Sequence, residues 1–146
     1  MRLESSTDAD TVAARAAGRA LAAELGFSRT DATLVATAIS EVARTILVHA
    51  GSGEIEVRGL LGRDRRGLVV VAHDAGPGIA DVELAMQDGW GSSGGLGLGL
   101  PGARRLMGEF EIESERGKGT TVTMRKWCAG EPLDRLQRQH RDGTGP

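Results

Sequence analysis

Glycine is concentrated between Gly89 and Gly102, and the tightest run, Gly94-Gly95-Leu96-Gly97-Leu98-Gly99, alternates it with leucine. Glycine costs entropy wherever backbone must be ordered, so a local cluster marks backbone with a special task. A solvated linker has no use for Leu96, Leu98 and Leu100 at every second position, which counts against that bland reading. Glycines in series let backbone N–H groups face an anion without side-chain interference. The helix expected from about Gly99 to Glu109, with Leu100, Ala103, Leu106 and Met107 inward, adds a positive N-terminal end, a natural phosphate site. Two familiar phosphate motifs fail on context. Gly97-Leu98-Gly99-Leu100-Pro101-Gly102 matches G-x-G-x-x-G, but no strand precedes it, as the dinucleotide fingerprint requires. Gly117-Lys118-Gly119-Thr120 lacks P-loop spacing.

The rest of the chain has the size and balance to house such a loop. Its 146 residues fit one domain with one core, and 40% hydrophobic with 26% charged residues is ordinary for a globular protein. A net charge of -2 gives no reason to expect a nucleic-acid or anionic-membrane partner. Cys128 is the single cysteine, so no intrachain disulfide forms, and with His49, His73 and His140 it makes no metal-ligand spacing. No apolar run approaches the roughly 20 residues of a membrane span, and the first residues lack a signal-like apolar stretch. A cytoplasmic protein is expected.

Residues 1 to 7 read as a leader or edge strand. An alanine-rich helix follows from about Asp8 to Leu25, with Ala13, Ala17, Leu21 and Leu25 on one face and Gly26 as its stop. A second helix starts at Ser28, with Asp31 in a capping-box variant, and ends near Ala50. Its apolar stripe is Val35, Ala38, Ile39, Val42 and Ile46. Glu54 to Arg58 alternates as a half-solvated strand, and Leu68 to Ala72 is apolar throughout, as a central strand would be. Residues 62 to 67 join them. A short helix over 81 to 88 and a loop over 89 to 98 come next. Strands at 110 to 114 and 121 to 124 flank a turn at 117 to 119. The fold class is α+β, a two-layer sandwich with helices on one face of a mixed, mostly antiparallel sheet. One domain spans residues 1 to 128, and residues 129 to 146 form a polar tail, expected to be disordered.

Two further features carry chemistry. Asp74 ends the central strand and opens Asp74-Ala75-Gly76-Pro77-Gly78. A buried carboxylate needs a partner. That partner is either a nearby backbone N–H in an Asx turn or the amino group of adenine, a donor suited to an acceptor-only carboxylate. Glu41 and Thr45 are one helical turn apart on the second helix. They are either a hydrogen-bonded polar pair at a helix edge or part of a site.

Taken in order, these pieces are a helix with Glu41, a strand-end D-x-G-x-G, a glycine-rich segment, a helix, and Gly119-Thr120 opening the last strand. That set resembles the GHKL ATPase superfamily (the Bergerat fold), over about Ser28 to Trp127. Ile39-Ser40-Glu41-Val42-Ala43-Arg44, the run from Gly94 to Gly102 and Arg105-Leu106-Met107 look most like the RsbT-like anti-sigma factor serine/threonine kinase group of stress-signalling modules. No dimerisation and phosphoacceptor helix pair precedes the domain, which argues against a histidine kinase.

The resemblance implies a function. Glu41 would be the general base, and Asp74 would read adenine with support from Thr120. Gly76 and Gly78 would shape the base pocket, and Gly95, Gly97 and Gly99 would wrap the phosphates of ATP. A Mg²⁺ ion is implied, but the family places an asparagine where this chain has Thr45, and the reach of threonine to the ion is doubtful. The implied partner is an antagonist or scaffold protein offering a serine or threonine, with a sigma factor or phosphatase as further candidates; a homodimer stays open. The alternative is a nucleotide-holding switch that sequesters such a partner without useful catalysis. Intact Glu41 favours the kinase, and Thr45 favours the switch.

Overall fold

The computed structural model describes residues 1–77 and 99–128. Among these, β1 (Arg2–Ser5), α1 (Asp8–Glu24), α2 (Arg29–His49), β2 (Gly53–Leu61), β3 (Arg66–Asp74), α3 (Gly99–Met107), β4 (Glu109–Glu115) and β5 (Gly119–Trp127) follow in chain order. The helix expected at 81 to 88, the loop at 89 to 98, Gly78, Gly95, Gly97 and the tail from 129 lie outside the described residues.

The sheet runs β1-β2-β3-β5-β4. Sequence reading allowed a mixed sheet; every pairing among the described residues is antiparallel. Of the two readings of residues 1 to 7, leader or edge strand, β1 is an edge strand, with Leu3 opposite Ile55. β3 is central, and Leu68, Val70 and Ala72 are buried there, as its apolar run required.

Local signals set the helix ends. Thr7 Oγ1 accepts the N–H of Asp10 at 3.0 Å, and Ser28 Oγ accepts that of Asp31 at 3.0 Å. The Asp10 carboxylate accepts from the N–H and the hydroxyl of Ser6. The backbone hydrogen bond from Ser6 is the main reason its carboxyl titrates below the usual carboxylate range. At the end of α1, the N–H groups of Gly26 and Phe27 bond to the carbonyls of Ala23 and Ala22. α3 ends at Met107, two residues short of the expected Glu109, and Lys126 Nζ donates to the Leu106 carbonyl at 2.8 Å.

The expected stripe of α2 is buried in full: Val35, Ala38, Ile39, Val42 and Ile46. By length and composition α2 could cross a bilayer, with mean hydropathy 1.2 over an 18-residue window. Its eight buried residues instead form the middle of this core. The α1 face is rotated from the sequence reading. Ala14, Gly18 and Ala22 are buried, Ala17, Leu21 and Leu25 are half-buried, and Ala13 is exposed. The cause is close helix packing: a Cβ on Gly18 would run into Ile39 Cδ1. The smallest residues, rather than the leucines, therefore face α2.

The strands run further than their hydrophobic patterns suggested. The joining segment contracts to a tight turn in which Gly62 N–H donates to the Arg65 carbonyl at 2.8 Å. β4 and β5 extend to Glu115 and Gly119. That extension places Thr120 inside the sheet, beside the end of β3.

Candidate functional site

At one end of the core face, the apolar rows of the sheet give way to a polar one. Ala72, Val122 and Ile112 are register partners across β3, β5 and β4. Two residues along each strand, the partners are Asp74, Thr120 and Ser114. Alternation puts all three on the core face. Asp74 is 7% exposed and Thr120 8% exposed, two of the buried polar groups among the described residues.

A pocket opens there, holding about 380 Å³ including its open mouth. Val42, Ile46, Ala72, Leu100 and Val122 give it apolar walls; Thr45, His49, Asp74 and Thr120 are its polar lining. A mostly apolar cleft with a few convergent polar groups is the usual form of a small-ligand site. Asp74 makes the Asx bond: its Oδ1 accepts the Gly76 N–H at 2.9 Å. This does not exhaust the carboxylate. Among the described residues no donor reaches Oδ2, so one oxygen remains for a ligand amino group. Gly76 also packs tightly, since a Cβ there would come 2.5 Å from Ala50 Cβ.

Gly119 must be glycine. Its φ is +93°, and a Cβ would collide with the Asp74 carbonyl oxygen. This close approach seats Thr120 against Asp74. Ser114 Oγ lies 2.8 Å from Thr120 Oγ1 and donates to the Gly119 carbonyl at 3.2 Å.

Glu41 is half-buried and does not line the pocket. Its Oε2 accepts the N–H of Gly99, the first residue of α3, at 2.9 Å. Gly99 has φ +54°, a left-handed turn into the helix. A carboxylate at a helix N-terminus is favourable because orphan N–H groups and the helix dipole both point at it. The structure thus joins Glu41 to the last glycine of the run. Thr45 is placed less openly: its hydroxyl donates to the Glu41 carbonyl at 3.0 Å, a bond within the helix.

Of the expected site residues, the structure brings Asp74, Gly76 and Thr120 to one pocket end, with Thr45 in its wall and Glu41 bonded to Gly99. Gly78, Gly95 and Gly97 lie outside the described residues. Two lining or supporting residues escaped the sequence reading. His49 is one turn after Thr45, and that spacing could have flagged it. Ser114 is found only through the β4–β5 register.

The sequence profile of the histidine kinase-like ATPase domain matches residues 5–126. The chain belongs to this family. Among its relatives, the serine/threonine-protein kinase RsbT of Bacillus subtilis (strain 168) is 49% identical over 121 residues, covering 83% of this chain and 91% of its own. An anti-sigma F factor of Caldanaerobacter subterraneus subsp. tengcongensis is 33% identical, covering 78% and 82%. The anti-sigma F factor of Clostridium kluyveri is 31% identical over 121 residues. The family's ATPase fold agrees with the α+β sandwich and its one-sided helices.

Proposed function

We propose that the protein is an ATP-dependent serine/threonine-protein kinase that switches a protein partner. The observation that carries this reading is the pairing of a buried acceptor, Asp74, with the apolar pocket walls, next to a helix N-terminus held by Glu41. The likeness to RsbT supports it. The pocket suits adenine: Asp74 Oδ2 would accept from the exocyclic amino group while Ala72, Val122 and Leu100 cover the ring. Triphosphate would extend toward the N-terminal end of α3, the end of a helix that favours an anion.

Mg-ATP, when bound, supplies the phosphoryl group and neutralises its charge. Magnesium commonly keeps several waters and takes only one or two protein oxygens beside phosphate. The Thr45 hydroxyl oxygen in the pocket lining is the protein ligand such sparse ligation would use, and no group of three metal-binding side chains occurs among the described residues. Glu41 would take the proton from the acceptor hydroxyl of the partner. The partner would be a cytoplasmic antagonist or scaffold domain of a sigma-factor or stress-response module, as the names RsbT and anti-sigma F factor suggest.

A second reading rests on Thr45. Its hydroxyl is engaged with the Glu41 carbonyl, where the family would offer an asparagine. A weak metal site would leave a nucleotide-holding switch that sequesters its partner. Incubating the protein with γ-labelled ATP and candidate antagonist domains separates the two. A labelled serine or threonine on the partner is the kinase result; stable complex formation at full ATP occupancy without label is the switch.

A further inference from the structure

The 2.9 Å bond from the Gly99 N–H to Glu41 Oε2 puts a carboxylate where the nucleotide reading puts phosphate. α3 runs nine residues from Gly99 to Met107 and has no acidic residue in its own first turn. The first N–H groups of a helix have no partner within it, and that end carries partial positive charge. Glu41 reaches it from α2, 58 positions away in the chain, and supplies the anion. The pocket opens beside this bond. Thr45, one turn after Glu41, and Leu100, next after Gly99, both line it. A ligand seated there lies against the neighbours of both bonded residues. One N–H carries one proton, and two anions brought onto it repel each other, so carboxylate and phosphate exclude each other at this end.

We propose that the Glu41–Gly99 bond is an autoinhibitory contact: Glu41 holds the anion position at the start of α3, and the phosphates of the nucleotide displace its carboxylate. Displacement does two things. It frees the carboxylate for the acceptor hydroxyl once phosphate is seated, so the base is withheld from a partner until there is a group to transfer. It also weakens phosphate binding, because part of the binding free energy goes into breaking the bond. Glu41 therefore acts against nucleotide affinity and for transfer. The left-handed turn at Gly99, with φ +54°, aims the N–H at α2 and makes the exchange a local one.

This inference rests on the nucleotide reading of the pocket, and its test keeps the two apart. Binding of ATP and of adenosine is measured by calorimetry on the full chain in EDTA, so that no metal bridges carboxylate and phosphate. Glu41→Asp keeps the charge but is one methylene too short for Gly99, and Glu41→Ala removes both charge and contact. Each variant should bind ATP about fivefold more tightly than wild type, the weight of one charge-assisted hydrogen bond. Adenosine, which has no phosphate, should bind all three proteins equally. Melting temperatures show that the variants are folded, and the Gly99 amide resonance should move in both. An amide unmoved by Glu41→Ala would overturn the contact itself. Tighter ATP binding by Glu41→Ala alone would be an effect of charge and would overturn the proposal, as would no tightening in either variant. An equal gain for adenosine would place the effect in the base pocket and overturn it too. A wild type that binds neither ligand, with magnesium restored as well, would instead overturn the nucleotide reading.

Discussion

The carboxylate of Glu41 on α2 holds the backbone N–H of Gly99 at 2.9 Å, linking the proposed base to the start of the helix that follows the glycine run. This bond has a structural consequence apart from chemistry. Removing it leaves the first N–H of α3 without its acceptor, at a cost of about 1 kcal/mol. Glu41→Ala should therefore lower the melting temperature of the nucleotide-free protein by about 3 °C. Thermal unfolding monitored by circular dichroism measures this. An unchanged midpoint would mean that the link contributes nothing to the resting fold.

Asp74→Asn isolates the base contact from the turn. The amide oxygen can still accept from Gly76, so the Asx bond survives. The amide nitrogen then faces the ligand amino group, donor against donor. ATP affinity should fall by about tenfold, or 1.4 kcal/mol. Calorimetric titration measures it, and equal affinity would remove Asp74 from base recognition.

Thr45→Asn gives the pocket wall a longer side chain with a carbonyl oxygen. The hydroxyl of Thr45 spends its proton on the Glu41 carbonyl, and its reach is short. The asparagine variant should need severalfold less Mg²⁺ for half-maximal transfer. A magnesium titration at saturating ATP reads this directly, and an unchanged dependence would place position 45 away from the ion.

Gly119→Ala should be the most damaging single methyl at the site. The residue has φ +93° and its Cβ would strike the Asp74 carbonyl. Left-handed strain and overpacking each cost roughly 1–3 kcal/mol. A drop of more than about 5 °C in melting temperature is expected. Near-wild-type stability would mean that β3 and β5 part easily at this end, contrary to their register.

Much of this was legible in the sequence because it depends on local patterns. The α2 stripe, the capping serine and the apolar run of β3 each follow from spacing and residue type, and Asp74 stood out as a charge at the end of a buried strand. What escaped depends on relations across the fold. The face of α1 turned on Gly18 meeting Ile39, and no period in α1 alone reports how close a second helix comes. Ser114 looked like one polar residue in a charged edge strand, and its meaning came from lying opposite Thr120. The bond from Glu41 to Gly99 spans 58 positions and is invisible to any local pattern. Val42, Ile46 and Leu100 were read as core; they are also the walls of the pocket.

The most direct test of the central claim is phosphoryl transfer by wild type and Glu41→Ala at matched ATP occupancy. The variant's ATP affinity is measured first, so both proteins can be saturated. With γ-labelled ATP and an antagonist domain that accepts label from the wild type, Glu41→Ala should bind ATP yet transfer about 100-fold less or worse, the usual cost of losing a general base. Transfer by the variant at the wild-type rate would contradict the assignment of Glu41 as the base and, with it, the proposed mechanism.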